Sequence, residues 1–442
     1  MGNFRHCTAP RQAPTLNHFP MKHTIPPSAP GTALHSMTEA VQACVHCGFC
    51  LPACPTYQEL GQEMDTPRGR IVLMKEVLEG RLPLTQALPH VDRCLGCLAC
   101  ETACPSGVKY RELISPFRDH IRETRPRTLA ERLRRRLLLT TLPHPWRFRL
   151  AARGGILTRG LHDMLPRALQ PMLSLLPDKL PPRQKLAASY PAQGARRARV
   201  ALLAGCAQQV LAPEINAATI AVLTRCGVEV VVPGKQGCCG ALAWHVGAGD
   251  EARKAARKNL AAFPADVDAI VTNAAGCGSG LHEYPLMLQG TPDEAAAGAF
   301  AHRVQDVSVF LDRLGIEPPP ATHRTVTVAY HDACHLSHAQ GVRSAPRELL
   351  RRVPGLVLKE ITDGDICCGS AGTYNIDQPE IAAGLGRKKA DHIAATGAEF
   401  VVMGNIGCMT QITAHLRRHE AAPRVMHTME LLALAFDGKL GA

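Results

Sequence analysis

The chain of 442 residues is 46% hydrophobic and 20% charged, which is long enough and apolar enough for two or three domains with buried cores. It contains no run of about 18 uninterrupted apolar residues, so the sequence predicts no transmembrane helix. The formal net charge of +12 does not demand a nucleic-acid partner, because that figure counts all 18 cysteines as neutral.

The N-terminal segment, residues 1–36, is rich in proline, histidine and small residues. We expect it to be disordered or to lie outside the true coding region, with Met37 as the alternative start. The first 37 residues hold six prolines and no apolar run of signal-peptide length. We therefore expect a reducing cytoplasmic setting, in which structural disulfides are disfavoured.

One cysteine motif occurs twice, and each copy ends in Cys-Pro. The first copy contains Cys44, Cys47, Cys50 and Cys54, and the second contains Cys94, Cys97, Cys100 and Cys104. The spacing is that of bacterial ferredoxins, in which the fourth cysteine of each motif ligates the cluster of the other motif. It predicts one [4Fe–4S] cluster on Cys44, Cys47, Cys50 and Cys104, and a second on Cys94, Cys97, Cys100 and Cys54.

Zinc sites are the main alternative for these eight cysteines. Zinc ribbons usually carry paired Cys-x2-Cys knuckles, whereas here a third cysteine and a Cys-Pro follow in both copies. A cubane with four thiolates carries about −2, so two clusters would lower the net charge to roughly +8 and four to roughly +4. We therefore predict a protein that moves electrons and binds no nucleic acid.

The segment between the two motifs is long for a small β-type ferredoxin and has a helical pattern. Pro67 begins the pattern, apolar residues recur as far as Leu78, and Gly80 follows as a C-cap. We assign residues 37–118 to a helical ferredoxin domain that holds two [4Fe–4S] clusters.

Residues 119–195 are rich in proline and arginine and are predicted to form a basic helical linker. Between Ile121 and Arg153 there are ten arginines and only two acidic residues, with leucines and aromatic residues interleaved. Such a stretch could lie on an anionic membrane surface or dock a partner subunit. The alternative, which we favour, is a solvated helix with arginines outside and leucines inside.

The remaining cysteines mostly form an internal repeat. Cys206, Cys238-Cys239-Gly240 and Cys277 recur as Cys334, Cys367-Cys368-Gly369 and Cys408, at offsets of 128, 129 and 131 residues. Each landmark follows a short β-branched run, and helical patterns separate these runs, as in parallel βαβ architecture. We assign residues 196–320 and 321–442 to two duplicated α/β domains with parallel strands, within an α+β multidomain chain.

Loops at the carboxyl ends of parallel strands meet at one edge of a sheet, so each duplicated domain should gather four cysteines into one site. The first set is Cys206, Cys238, Cys239 and Cys277, and the second is Cys334, Cys367, Cys368 and Cys408. Metal or cluster binding is the prediction for both sets, and buried free cysteines are the alternative. Cys7 and Cys226 have no counterparts in the repeat and are predicted to have no role.

The whole arrangement resembles the iron–sulfur subunits of glycolate oxidase, a family related to the iron–sulfur subunit of anaerobic glycerol-3-phosphate dehydrogenase and to heterodisulfide reductase subunits. The resemblance runs from about Ala43 to the C-terminus. Four strings carry it: Cys44 to Cys50, the DTPRGR of residues 65–70, residues 100–108, and the CCGSAGTY of residues 367–374.

The resemblance implies an electron-transfer role. Such a protein accepts electrons from partner subunits that oxidise a 2-hydroxy acid such as glycolate at FAD, and passes them toward the quinone pool. The chain itself has no dinucleotide-binding fingerprint after a strand, so the resemblance places substrate oxidation on another polypeptide. It implies a hetero-oligomer in the cytoplasm, peripheral on the inner face of the cytoplasmic membrane.

One departure concerns the last landmark of each repeat. Heterodisulfide reductase-like domains have a Cys-x2-Cys there, whereas Cys277 and Cys408 each stand alone. Four thiolates still suffice for a cubane, but disulfide-reducing chemistry is put in doubt.

Several histidines lie near these cysteines, namely His46, His245, His331, His335 and His338. Each is able to hydrogen-bond a cluster sulfur, ligate a metal or contact a quinone, and for His46 we expect tuning of a cluster potential. For the others an ordinary role in a loop is the favoured interpretation, because the chain contains 20 histidines.

Three functions remain open from the sequence. The first is the electron-transfer subunit of a glycolate oxidase, or of a related lactate or glycerol-3-phosphate dehydrogenase. The second is a self-contained disulfide or quinone reductase that acts at the duplicated domains. The third is an interaction module stabilised by zinc, without redox activity.

Overall fold

The computed structural model describes residues 21–160, 170, 173 and 175–442. The predicted disorder of residues 1–20 and the prediction for Cys7 lie outside these described residues. Among the described residues, no helix is both long and apolar enough to cross a bilayer.

The first domain is built from short helices that surround two cysteine loops. Their bounds are α1 Ala33–Gln42, α2 Pro55–Leu60, a 3₁₀ turn at Glu63–Asp65, α3 Pro67–Leu78, α4 Leu84–Asp92, α5 Ala99–Thr102 and α6 Arg111–His120. Helix α3 begins and ends as predicted: the Thr66 hydroxyl caps it by accepting from Gly69 N, and Gly80 follows with φ +71°. The helical ferredoxin-like domain is therefore confirmed.

The predicted boundary at residue 36 is wrong, because it falls inside α1. Thr32 caps this helix at the start, and Met37 is fully buried within it. Ile25 is also buried, in the same apolar core as Met37 and Val41. Residues 21–36 are thus an ordered part of the domain, since their few apolar side chains find a core despite the proline-rich composition around them.

Two basic helices, α7 Leu129–Thr141 and α8 Pro145–Leu157, follow the first domain. Helix α7 starts with a capping box between Thr128 and Glu131. The predicted orientation is wrong for three of its leucines: Leu129, Leu133 and Leu137 are 82%, 70% and 49% exposed, although Leu138 is buried as predicted. Arg134 and Arg135 are half-buried instead, because Asp377 and the backbone carbonyl of Val246 in other domains receive them.

The remainder of the chain forms two mainly parallel sheets. The first contains β1 Ser189–Tyr190, β2 Ala198–Leu202, β3 Val228–Val231, β4 Ala269–Thr272 and β5 Val304–Asp306, in the order β1-β3-β2-β4-β5. The second contains β6 Val326–Tyr330, β7 Leu356–Glu360, β8 Phe400–Met403 and β9 Arg424–His427, in the order β7-β6-β8-β9. The four parallel strands of each sheet follow the same order, as duplication predicts.

Strand β1 corrects the predicted end of the linker. Ser189 pairs with Val231 and Tyr190 with Val230, antiparallel to β3. Residues assigned to the linker up to residue 195 therefore include an edge strand of the first sheet, because the exposed edge of β3 offers unpaired backbone groups.

Helices connect and cover the strands. In the first duplicated domain they are Gln208–Leu211, Glu214–Arg225, Ala241–His245, Gly249–Ala262, Ala275–His282, Tyr284–Met287, Glu294–His302 and Val307–Leu314. In the second they are Cys334–Ser337, Ser344–Arg351, Tyr374–Asp377, Pro379–Ala395, Ile406–Leu416 and Thr428–Phe436.

The duplicated domains share one apolar core, to which Val200 and Val230 contribute from the first sheet and Val328 and Val402 from the second. The imidazole of His427 also joins the two duplicated domains. Its Nε2 lies 2.8 Å from Asn273 O in the first domain, and its Nδ1 accepts a hydrogen bond from Met429 N in the second. Burial lowers the pKa of His427 to about 4, so the ring is neutral at pH 7 and serves as donor and acceptor at once.

The ferredoxin-like domain packs against both duplicated domains. Arg118 Nη1 donates to His245 O at 2.8 Å, and Asp119 pairs with Arg253 at 3.0 Å. On the other side the Tyr374 hydroxyl donates to Arg93 O at 2.8 Å. These contacts bring the cysteine loops of the first domain against the cysteine loops of the second duplicated domain.

Candidate metal centres

Five cysteines of the ferredoxin-like domain line one cavity. They are Cys44, Cys47 and Cys50 from the first motif and Cys100 and Cys104 from the second. Burial is the main cause that raises the pKa of Cys44, and the charge of nearby Cys104 acts in the same direction. The structure thus brings together the four residues that the sequence assigned to one cluster, although more than fifty positions of sequence separate Cys104 from the others.

A second cavity is lined by four cysteines, of which Cys100 also borders the first. Cys94, Cys97 and Cys100 come from the second motif, and Cys54 comes from the Cys-Pro end of the first. All eight thiols are free, without disulfides. Eight thiols around two cavities that share Cys100 are a donor set suited to two iron–sulfur clusters.

The two loops have the same unusual backbone. In the first motif His46 and Gly48 have φ of +54° and +87°, and in the second Gly96 and Leu98 have +65° and +62°. The left-handed positions therefore lie two and four residues after the first cysteine of each motif. Each motif places glycine at only one of them, so His46 and Leu98 hold a strained conformation that curls the loop around its cavity.

Burial opposes thiolate formation in both cavities. It raises the pKa of Cys50 to about 11 and raises the pKa values of Cys97 and Cys100 well above their ordinary range. For Cys94, burial also disfavours the thiolate, but the charges of Arg70 and Arg118 outweigh it and lower the pKa. Such thiols become thiolates when a metal cation supplies the missing positive charge.

The two cavities differ in their access to solvent. Cys47 is exposed, and Phe49 beside it is 66% exposed. In the second cavity Cys54, Cys94 and Cys97 are buried. The first cavity therefore reaches the surface of the protein, and the second lies inside it.

The first duplicated domain brings its four predicted cysteines together at the carboxyl edge of its sheet. Cys206 Sγ lies 3.5 Å from Cys238 Sγ, and Cys239 is in hydrogen-bond contact with both Cys238 and Cys277. Donation by its thiol neighbours Cys206 and Cys239 holds the pKa of Cys238 well below its usual value. This set is suited to binding a metal, although three of its members are only partly buried.

The second duplicated domain also brings its four predicted cysteines together, in a fully buried site. Cys334 Sγ lies 3.8 Å from Cys367 Sγ, and Cys368 contacts Cys367 and Cys408. Asn405 Nδ2 donates to Cys408 Sγ at 3.3 Å. All four cysteines are buried, in contrast to the first duplicated domain.

His331 also belongs to this site, which sequence reasoning missed by favouring a loop role. Ligand atoms of His331, Cys368 and Cys408 all lie within 4.8 Å of one another. His331 directly follows strand β6, where its counterpart after β2 in the first domain is Leu203. This exchange of leucine for histidine at a repeat position is the signal that could have revealed it.

The other histidines have protein partners. His335 Nε2 lies 3.1 Å from Gly96 O, and burial lowers the pKa of its ring to about 4. His338 contacts Asp365 O and Thr102, and His245 lies 3.6 Å from Glu283. These contacts join loops and domains, which agrees with the role expected for them.

The second ferredoxin-like set lies against the second duplicated domain. Cys97, Cys334, Cys367 and Tyr374 belong to one buried apolar cluster. Burial is the largest cause of the raised pKa of Cys97, and the charge of Cys334 is the second largest. The two cysteine sets of the ferredoxin-like domain and the set of the second duplicated domain therefore lie next to one another in a series, from exposed Cys47 to buried Cys334.

A cavity rich in arginine adjoins this series. Its lining includes Cys94, Leu95, Tyr374 and five arginines, namely Arg118, Arg125, Arg127, Arg134 and Arg135. Arg125 pairs with Asp92 and Arg134 with Asp377. Burial and the nearby charges of Arg135 and Arg125 lower the pKa of Arg127 to about 10. The cavity is positively charged and favours an anionic or carbonyl-oxygen ligand.

Comparison with known proteins follows the same division of the chain. Residues 40–108 match the family described as a 4Fe-4S dicluster domain, and residues 200–282 and 328–413 each match the family described as a cysteine-rich domain. The "Probable glycolate oxidase iron-sulfur subunit" of Bacillus subtilis (strain 168) is 38% identical over 417 residues, covering 90% of this chain and 94% of that protein. The "Glycolate oxidase iron-sulfur subunit" of Escherichia coli (strain K12) is 37% identical over 404 residues with the same coverages.

A shorter relative is similar to part of the chain. The "Lactate utilization protein A" of Oceanobacillus iheyensis is 33% identical over 242 residues, covering 54% of this chain and 98% of that protein. The longer alignments therefore include the ferredoxin-like domain together with both duplicated domains, whereas this one includes about half of the chain.

Proposed function

The chain belongs to the family of glycolate oxidase iron–sulfur subunits, and from this premise we propose that it is the electron-transfer subunit of a glycolate-oxidising complex. It takes electrons from a partner subunit that binds FAD and oxidises glycolate, and it passes them toward the quinone pool. The observation that carries the proposal is the pair of cavities in the ferredoxin-like domain that eight cysteines line between them.

The proposed ligands of the first cluster are Cys44, Cys47, Cys50 and Cys104, and those of the second are Cys94, Cys97, Cys100 and Cys54. When bound, [4Fe–4S] clusters supply one-electron redox chemistry. The chain orients the thiols through the two left-handed loops and supplies Arg70 and Arg118 to offset their negative charge.

Exposed Cys47 and its neighbours Val45 and Phe49 form the face that we assign to the flavoprotein partner. The two apolar side chains are 37% and 66% exposed. Electron-transfer partners need close approach of the redox centres, and a small apolar patch beside an exposed ligand serves that purpose.

We assign the membrane-facing side to helices α7 and α8. Leu129, Leu133 and Leu137 form an exposed stripe at intervals of four residues, and Trp146 is 65% exposed nearby. The inner side of α7 contributes Arg134 and Arg135 to the arginine-rich cavity beside Cys94. An apolar stripe flanked by arginines matches an anionic membrane surface, and the cavity offers donors to the carbonyl oxygens of a quinone.

The leucine stripe makes a direct prediction. The triple variant Leu129→Ser, Leu133→Ser, Leu137→Ser should bind vesicles containing anionic lipid at least about tenfold more weakly than the wild type, because each leucine removed from the interface costs about 1 kcal/mol or more. Sedimentation with vesicles measures this. Val357→Ser, which alters an exposed apolar residue of the second sheet, is the control. Equal binding by the triple variant and the wild type would contradict the assignment.

The function itself is tested by reduction of the chain under strict exclusion of air. Glycolate should reduce its iron–sulfur signals, seen by low-temperature EPR, only when the flavoprotein subunits that co-purify with the chain are added. Lactate and glycerol 3-phosphate serve as comparison substrates; the partial similarity to lactate utilization protein A makes lactate the second candidate.

Three outcomes would overturn the proposal. Turnover of a disulfide or quinone by the chain alone would indicate a self-contained reductase. Faster reduction with lactate than with glycolate would move the chain to a lactate-oxidising complex. A colourless protein that binds zinc but no iron would indicate an interaction module.

A further inference from the structure

We propose that His331, Cys368 and Cys408 bind a single zinc ion, so that the second duplicated domain holds a mixed histidine–cysteine metal site that the first domain lacks. The proposal does not depend on the partner or substrate assigned above. It concerns a site separate from the two cavities of the ferredoxin-like domain.

The first observation is the distance between donor atoms. One ligand atom each of His331, Cys368 and Cys408 lies within 4.8 Å of the other two, and this is the only such group of three His, Cys, Asp or Glu ligands in the described part of the chain. Tetrahedral zinc with bonds of about 2.0 Å to nitrogen and 2.3 Å to sulfur holds its ligands roughly 3.3–3.8 Å apart. The three donors therefore need only small movements to meet at one ion.

The ferredoxin-like cavities provide the contrast. There eight cysteines surround the two cavities, and no three of their sulfurs lie within 4.8 Å of one another. Ligands to different iron atoms of a cubane must stand further apart than ligands to one ion. The compact group in the second duplicated domain fits one ion better than a cluster.

The second observation is the state of the His331 side chain. It is only 1% exposed, and neither ring nitrogen makes a well-aligned hydrogen bond with a described residue; the ring interacts with the thiol of Cys368. A thiol is a weak hydrogen-bond partner, and a buried polar group that is poorly satisfied costs free energy, so native proteins rarely keep one without a reason. A metal ion between the ring and the two thiols supplies that reason.

The chemistry of the donors selects the metal. Imidazole and thiolate together are the usual ligands of tetrahedral zinc. Two thiolates and a neutral imidazole around Zn²⁺ give no net charge, which lowers the cost of burying the site.

The first duplicated domain cannot form this site. Leu203 occupies the position after β2 that His331 occupies after β6, and leucine has no ligand atom. Its cysteines are also less buried than those of the second domain. Duplication thus preserved the four-cysteine pattern, and a single substitution after one strand separated the metal chemistry of the two halves.

The test is metal analysis of the full-length protein purified without air. The wild type should contain about one zinc per chain in addition to the iron of the ferredoxin-like domain. His331→Ala should lose at least about nine tenths of the zinc and keep its iron. His427→Gln, which alters another fully buried imidazole of the same domain, should keep both metals.

A second variant guards against misfolding of His331→Ala. His331→Cys restores a donor, so it should retain the zinc. With Co²⁺ in place of zinc, its sulfur-to-metal charge-transfer absorption should rise by about half relative to the wild type, since three thiolates replace two.

Any of three results would overturn the proposal: wild-type protein without zinc, zinc retained in full by His331→Ala, or loss of iron instead of zinc in that variant. The last result would make His331 a ligand of an iron–sulfur cluster. None of them bears on whether glycolate reduces the ferredoxin-like domain, so the two proposals fail separately.

Discussion

Replacing Cys104 by alanine should empty the cavity built by the first cysteine motif, although Cys104 belongs to the second. The reason is that Cys104 lines the same cavity as Cys44, Cys47 and Cys50, whereas Cys54 lines the other. Cys104→Ala and Cys54→Ala should each lose about four irons per chain, and the two losses should affect different EPR signals.

Double variants sharpen this prediction. Cys104→Ala combined with Cys47→Ala should lose no more iron than either change alone, because both residues serve one cavity. Cys104→Ala combined with Cys97→Ala should lose the iron of both. Cys226→Ala is the control, since Cys226 is buried but belongs to neither cavity. If Cys104→Ala and Cys97→Ala disturbed the same signal, the crossed assignment would be wrong.

Replacing Arg70 by methionine should be the most damaging change to a residue that binds no metal. The guanidinium is 1% exposed and lies 3.4 Å from Asp65 and 3.8 Å from Cys54 Sγ, with Thr56 Oγ1 at 2.9 Å. Removing one partner of a buried ion pair costs about 3–5 kcal/mol. The change also removes the positive charge that favours the Cys94 thiolate.

We expect Arg70→Met to lose the second cluster and to unfold at lower denaturant concentration, measured by iron content and by bleaching of the cluster absorbance in urea. Adding Asp65→Asn should recover little of the stability, because Arg93 at 3.0 Å and His90 at 3.1 Å still face the fully buried carboxylate when Arg70 is absent. It should not restore the cluster, because the charge beside Cys54 and Cys94 is still missing. Arg70→Lys, which keeps the charge, should retain more iron than Arg70→Met. Full iron in Arg70→Met would show that this charge does not support the second cavity.

Most of what could be predicted about the metal sites depended on the spacing of the cysteines. A fixed interval such as that from Cys44 to Cys47 to Cys50 restricts the loop so strongly that its curled conformation follows from the chain alone, and the donor set is predicted from the same interval. The helix Pro67–Leu78 was equally predictable, since Thr66, Pro67 and Gly80 are local signals that act within one or two turns. The repeat offsets predicted the matching sheets for the same reason.

The orientation of helix α7 was not predictable. Its composition of arginine and leucine suggested arginines in solvent, yet Leu129, Leu133 and Leu137 are exposed, while Arg134 pairs with Asp377 and Arg135 donates to Val246 O. Both partners lie more than a hundred residues further along the chain. The pattern of residues within one helix contains no information about hydrogen-bond acceptors that come near the helix only when the domains pack together.

The sequence alone therefore determined the duplicated parallel sheets and predicted which cysteines lie near one another, because ligand spacing and strand periodicity are local properties of the chain. Only the tertiary structure decided that Cys47 reaches the surface, that Cys97 lies against Cys334, and that His331 faces Cys368 and Cys408. Exposure and contacts across domains depend on how separate elements pack together, and no spacing along one segment encodes that.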